Sequence, residues 1–177
     1  MLSTTEFREK NLMSSSVMPL NETQAGMLAR LADYVELTKP RITAMVVVSV
    51  AITAFVASWG QPDHPIVVLH ALVGTLLTAS SASGMNQWME RDLDARMPRT
   101  QNRPLPANRL SRQGVMSLVI LTLVIGVTYL ICFVNPLTAL FSGLTWLVYV
   151  IAYTPLKTRT PLNTAVGAIS GALPILM

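Results

Sequence analysis

The 177-residue chain is 51% hydrophobic and 12% charged, with a mean hydropathy of +0.49, which is too apolar for a soluble globule. Its single cysteine, Cys132, lies in an apolar run, so an intrachain disulfide and a two-cysteine metal site are both excluded. The net charge of +4 does not signal a nucleic-acid partner, because the 13 basic residues interrupt apolar stretches and form no soluble patch.

Residues 1–26 mix Ser, Thr, Glu and Arg without the apolar core of a secretory signal, and are expected to be a flexible tail. Glu6, Glu9 and Glu22 argue against a mitochondrial transit peptide. From Met27 to Glu36, apolar Met27, Leu28, Leu31, Tyr34 and Val35 alternate with Arg30, Asp33 and Glu36 at helical period. That pattern predicts an amphipathic helix in the membrane interface, with residues 27–41 closing on the Lys39-Pro40-Arg41 entry to the first span.

A membrane-crossing helix needs about 20 mostly apolar residues. Four windows qualify, at Ile42 to Trp59, Pro65 to Met89, Val115 to Val134 and Pro136 to Tyr153. A fifth begins near Leu162 and is still apolar at Met177. The fold class is therefore all-α, a polytopic transmembrane helix bundle with four complete spans and the start of a fifth. Residues 42–177 read as the N-terminal part of a longer transmembrane domain.

The basic residues fix the topology, because short cytoplasmic connections carry the excess of Lys and Arg. Arg8, Lys10, Arg30, Lys39 and Arg41 precede the first span. Arg91, Arg96, Arg99, Arg103, Arg109 and Arg112 lie between the second and third, and Lys157 and Arg159 between the fourth and fifth. The other two connections hold no basic residue. This alternation places the N-terminus in the cytoplasm.

The chemistry-bearing stretch runs from Asn86 to Pro104, at the cytoplasmic end of the second span. Asn86, Glu90 and Asp94 are spaced i, i+4, i+8, so on a helix they drift by only about 80° and form one polar stripe. Asp92 points about 200° away from Glu90. Oxygen-bearing side chains at a membrane helix mouth require a cation. Two readings stand. Neighbouring arginines neutralise the stripe as a structural network, or the carboxylates share a Mg²⁺ ion with a bound diphosphate whose remaining oxygens meet Arg99, Thr100 and Arg103.

The other polar and aromatic residues read more plainly. His70 fits a satisfied helix-interior histidine better than a porphyrin-iron ligand, and His64 a solvated loop residue. Trp59, Trp88, Trp146, Tyr149 and Tyr153 fit an aromatic belt at helix ends, with Trp88 close enough to the motif to pack on a prenyl chain. Ser80, Ser81, Ser83 and Gly84 fit close helix packing.

The run Asn86 to Pro104 resembles the first aspartate-rich motif of the UbiA superfamily of intramembrane prenyltransferases. Leu37-Thr-Lys-Pro-Arg41, the Glu-Arg-Asp-Leu-Asp core and Met97-Pro-Arg-Thr100 with Arg103-Pro-Leu105 are similar to the branch that farnesylates heme b. Tyr153-Thr-Pro-Leu-Lys157 and Thr160-Pro-Leu-Asn-Thr164 extend that similarity. The resemblance implies a nine-helix bundle around a lipid-accessible cavity. There a farnesyl group would pass from farnesyl diphosphate to a vinyl group of heme b, and water would complete heme O.

Carried over by position, Asn86, Glu90 and Asp94 would be the catalytic residues that hold Mg²⁺ and diphosphate. Arg99, Arg103 and Lys157 would contact phosphate, and Asp92 belongs to the pattern while facing elsewhere. Glu90 stands where the superfamily most often has Asp. The family's second acidic motif has no counterpart here, since no Asp or Glu follows Asp94. The chain is thus expected to be part of a longer enzyme, or to need a partner, and to show no turnover by itself. The resemblance further implies a lipid bilayer setting, the bacterial inner membrane, and association with heme-pathway or oxidase assembly proteins. Alternatives are a UbiA-type transferase acting on an aromatic quinone precursor, and a non-catalytic membrane assembly or transport subunit.

Overall fold

The computed structural model describes residues 22–60, 64–157 and 159–176. Residues 1–21, most of the expected tail, lie outside the described residues. The first helix, α1, spans Glu22–Leu37. It starts five residues ahead of the Met27 boundary expected from apolar periodicity, because Glu22 to Ala25 carry no apolar stripe yet are tolerated in a helix. Residues 22–32 of α1 stand as a helical stretch by themselves, and the chain from Asp33 onward packs as one compact unit.

Among the described residues, four helices are long and apolar enough to cross a membrane. Helix α2, Pro40–Ala57, opens on a proline, whose missing N–H is no loss in a first turn. Helix α3, Pro65–Asp94, has 30 residues and so is about 45 Å long, well beyond a ~30 Å hydrocarbon core. It therefore runs past Met89, where the expected span stopped, and carries the whole acidic stripe as regular helix. Helix α4, Arg112–Phe133, is capped by Ser111, whose hydroxyl accepts from Gly114 N at 3.1 Å. Helix α5, Pro136–Leu147, is capped by Asn135 accepting from Thr138 N at 2.7 Å.

Beyond Leu147 the fourth span continues through a π-helical turn, Val148–Tyr153, to Leu156. In this turn Tyr149 O accepts the backbone N–H of Thr154, and Thr154 Oγ1 donates to the same oxygen at 2.8 Å. Helix α6, Asn163–Ala172, ends in a 3₁₀ turn over Leu173–Leu176 at Pro174, and completes a shorter apolar helix where the fifth span was expected.

Helix α3 is the centre of the bundle, packing most extensively on α4 and also on α2 and α5. Small residues make that approach possible. A Cβ on Gly126 of α4 would stand 2.8 Å from Thr78 Cγ2 and 3.2 Å from the Thr78 backbone nitrogen, and one on Gly84 2.9 Å from Val119 Cγ2. Burial follows a membrane protein's logic. Ile52, Phe55, Ile120, Leu121 and Val124 are exposed, while Thr75, Thr78, Ser81, Ser83, Asn86, Gln87, Glu90 and Asp94 of α3 are buried. The tight apolar core sits at one end, where Leu37 meets Leu105, Leu110, Val115 and Val119.

Candidate active site

The stripe is formed as the helical period requires. Asn86, Glu90 and Asp94 all turn into the protein, at 1%, 7% and 5% exposure, whereas Asp92 is exposed and among the described residues bonds only its neighbour, Arg91 Nε, at 3.2 Å. Each stripe residue meets a basic side chain from a different segment. Arg103 Nη1 donates to Asp94 Oδ2 at 2.6 Å. Lys157 Nζ reaches both oxygens of Glu90, at 3.1 and 3.2 Å. Lys39 Nζ donates to Asn86 Oδ1, and the Asn86 amide in turn donates to Thr154 Oγ1 at 3.4 Å. The entry to α2, the loop after α3 and the end of the fourth span thus converge at one mouth, as the alternating charge pattern requires.

A second layer of bonds positions these groups. The loop of residues 95–111 is folded back on α3 by Thr100 Oγ1 donating to Asp94 O at 3.0 Å and by backbone bonds from Arg109 N and Leu110 N to Pro104 O. Arg109 pairs with Asp33 at 2.6 Å and Glu36 at 3.1 Å, and donates to Asn102 O at 2.8 Å. Gln87, one position after Asn86, donates to Glu36 O and Leu37 O at 3.3 and 3.0 Å. The last turn of α1 is therefore a strut that holds the loop carrying Arg103, a role beyond that of the interfacial anchor expected from its amphipathic pattern.

Three expectations change. Arg99 is exposed and forms no ion pair among the described residues, so it does not join Arg103 at the stripe. Tyr149, Tyr153 and Trp146 line an open cavity among the helices where a membrane-edge belt was expected, with the tyrosine rings stacked at 5.3 Å and Trp146 Nε1 donating to Ser81 Oγ at 3.1 Å. Trp88 packs against the Leu37 core under the Arg91 guanidinium, 5.5 Å from its ring, and does not line that cavity. Lys39, by contrast, is a site residue that spacing alone did not single out. Its signal lay in the Lys-Pro-Arg entry.

The cavity, about 600 Å³, lies among α2, α3, α5 and α6 below the mouth. Many of its walls are hydroxyls, and several are quenched. Thr43 donates to Thr38 O at 2.7 Å, Ser49 to Met45 O at 2.9 Å and Thr145 to Phe141 O at 2.8 Å, while Thr78 and Ser142 bond each other at 2.7 Å. Back-bonded hydroxyls present mainly methyl and methylene surface, so the cavity suits an apolar chain. Around the mouth charge dominates. Burial first, and then the Arg103 guanidinium, push the Lys39 ammonium down to about 8.

No group of three His, Cys, Asp or Glu stands close enough to hold a metal among the described residues. Two carboxylates and an amide on one helix face do fit a hard divalent ion that completes its shell with phosphate oxygens. Glu90 and Asp94 supply buried oxygens for it, and the basic side chains now on them are the groups that diphosphate oxygens attract.

A multi-pass membrane protein with a charged mouth above an open, largely apolar cavity is the class these features define. Residues 46–177 match the UbiA prenyltransferase family, and the chain belongs to that family. It is 39% identical to the protoheme IX farnesyltransferase of Koribacter versatilis over 164 residues, 92% of this chain and 53% of the relative. The protein of the same name from Rhodopirellula baltica is 41% identical over 145 residues, 81% of this chain and 50% of its own. That from Christiangramia forsetii is 40% identical over 147 residues, 83% and 48%. The chain spans about half the length of these curated relatives. No solved structure matches it with significance.

Proposed function

We propose that this chain carries the diphosphate-binding part of a prenyltransferase that moves a farnesyl group from farnesyl diphosphate to a vinyl group of heme b, giving heme O. The observation that carries the reading is the mouth itself, where Asn86, Glu90 and Asp94 face Lys39, Lys157 and Arg103 directly above the apolar cavity. The names of the relatives supply the acceptor.

In this reaction the bond between C1 of the farnesyl group and the diphosphate oxygen breaks. The allylic cation adds to the terminal vinyl carbon, and water adds to the neighbouring carbon with loss of a proton. The protein's task is to bind and orient the diphosphate, to stabilise the charge that grows on it, and to keep the isoprenoid dry until capture. Arg103 and Lys157 serve the first two needs, and the back-bonded cavity wall serves the third. Mg²⁺ held by Glu90, Asp94 and Asn86 would neutralise leaving-group charge when bound. The orientation that goes with this reading has the mouth and N-terminus on the cytoplasmic side of a bacterial inner membrane, with residues 27–41 as an interfacial entry.

The test is binding of a farnesyl thiodiphosphate analogue to the chain in micelles. Affinity should need Mg²⁺, vanish with a chelator, and fall about tenfold or more in Asp94→Asn. Binding that ignores both the metal and Asp94 would leave the mouth as a structural ion-pair network and end the enzyme reading.

A further inference from the structure

The aromatic rings of the cavity are gathered at one level. Tyr149 and Tyr153 both line it, their rings stacked at 5.3 Å with 22° between the planes. Their height follows from the contacts on either side. Thr154 meets Asn86 and Trp146 meets Ser81, so Tyr149 stands beside Ser83, about 4.5 Å along the helix below the stripe.

The pair is held firmly in that place. A Cβ on Gly167 of α6 would stand 3.0 and 3.2 Å from Cε2 and Cδ2 of Tyr153, so α6 lies flush against that ring. Tyr153 is thus backed by α6 and carries the Tyr149 ring in turn. Thr154 Oγ1 donates to Tyr149 O at 2.8 Å and accepts from the Asn86 amide at 3.4 Å, which fixes the ring relative to the stripe. Both tyrosines belong to the π-helical turn Val148–Tyr153, a local widening of the kind that recurs at functional sites.

This level is where charge would develop in the proposed reaction. When the bond from C1 to the diphosphate oxygen breaks, the electron pair leaves with the oxygen and the positive charge spreads over C1 and C3 of the farnesyl group. Arg103 and Lys157 suit the leaving group and for the same reason oppose a second positive charge beside them. A tyrosine face attracts a cation through its ring quadrupole and needs no counter-charge of its own.

We infer that Tyr149 is a catalytic residue of this site, its ring face lying against C1 to C3 of the farnesyl group and stabilising the allylic cation until the acceptor captures it. Tyr153 and Gly167 are its backing. The inference rests on the reading above that the mouth takes a prenyl diphosphate.

The probes are a farnesyl-chain tertiary amine, protonated at neutral pH and so a stand-in for the cation, and its neutral hydrocarbon isostere. Each is titrated into the chain in micelles with Mg²⁺ and inorganic diphosphate, and the ratio of the two affinities is compared between variants so that partition into the micelle cancels. The unaltered protein should prefer the amine. Tyr149→Phe should keep that preference within about twofold, and Tyr149→Leu should cut it about fivefold or more while inorganic diphosphate binds as before. Equal loss of amine and isostere in Tyr149→Leu overturns the inference, because it makes the ring an apolar wall. Diphosphate binding by the unaltered protein without a preference for the amine also overturns the inference and leaves the diphosphate reading intact. No diphosphate binding overturns both.

A second series preserves the shape of the ring. Replacing Tyr149 by phenylalanine with one, two or three ring fluorines drains the aromatic face in steps, so amine affinity should fall with each fluorine while the isostere is unaffected. A flat series overturns the inference, even where Tyr149→Leu does not fold.

Discussion

The two ends of α3 handle polar groups in opposite ways. Near its start, His70 Nδ1 and Tyr129 Oη bond each other at 2.7 Å, with the His70 and Phe133 rings stacked at 5.1 Å. That pair is local, and is made with one neighbouring helix. Near its end, Asn86, Glu90 and Asp94 each meet a long basic side chain sent from another segment. His70 is sixteen residues from Asn86, about 24 Å along the helix, so the histidine belongs to a different problem. A short-range pair of this kind stabilises the packing of two helices. Ion pairs made by flexible cations can be exchanged for an incoming anion, and that difference separates a structural polar site from a chemical one.

The largest expected effect that sharpens this comparison comes from Arg103→Ala. It leaves the Asp94 carboxylate buried without its partner and should destabilise the bundle by about 3 kcal/mol, while abolishing measurable diphosphate binding. Unfolding in mixed micelles and diphosphate titration would report the two effects separately. Tyr129→Phe at the other end removes one hydrogen bond to His70 and should cost about 1 kcal/mol with diphosphate affinity unchanged. A loss of affinity there would break the comparison, since it would show the two ends of α3 to be coupled. The smallest effect belongs to Asp92→Asn. With a side chain exposed and bonded only to Arg91, it should change stability by less than about 0.5 kcal/mol and leave affinity alone, although it lies between Glu90 and Asp94 in sequence.

Much of the fold was legible because membranes impose simple rules. Runs of about 20 apolar residues had to be helices, and the basic residues had to gather at one end. Spacing also fixed which side chains of the acidic stretch point together. Asn86, Glu90 and Asp94 share a face and Asp92 does not, since a helix turns 100° per residue wherever it forms. Boundaries were less legible. The end of α3 and the start of α1 extend beyond their apolar windows, where hydropathy no longer marks the helix.

What the sequence determined by itself, then, is the all-α spans, their alternation, and the identity of the stripe, because each follows from local periodicity or local charge. Only the tertiary structure decided which cations meet the stripe. Arg99 and Arg103 are four residues apart in a loop that has no fixed period, and the fold sends only Arg103 to Asp94. Lys39 lies 47 positions before Asn86 and Lys157 67 positions after Glu90, separations at which spacing carries no information about contact. The packing of α2, α3 and the π-turned end of the fourth span brings them together. Those long-range choices turn three oxygen-bearing side chains into a site.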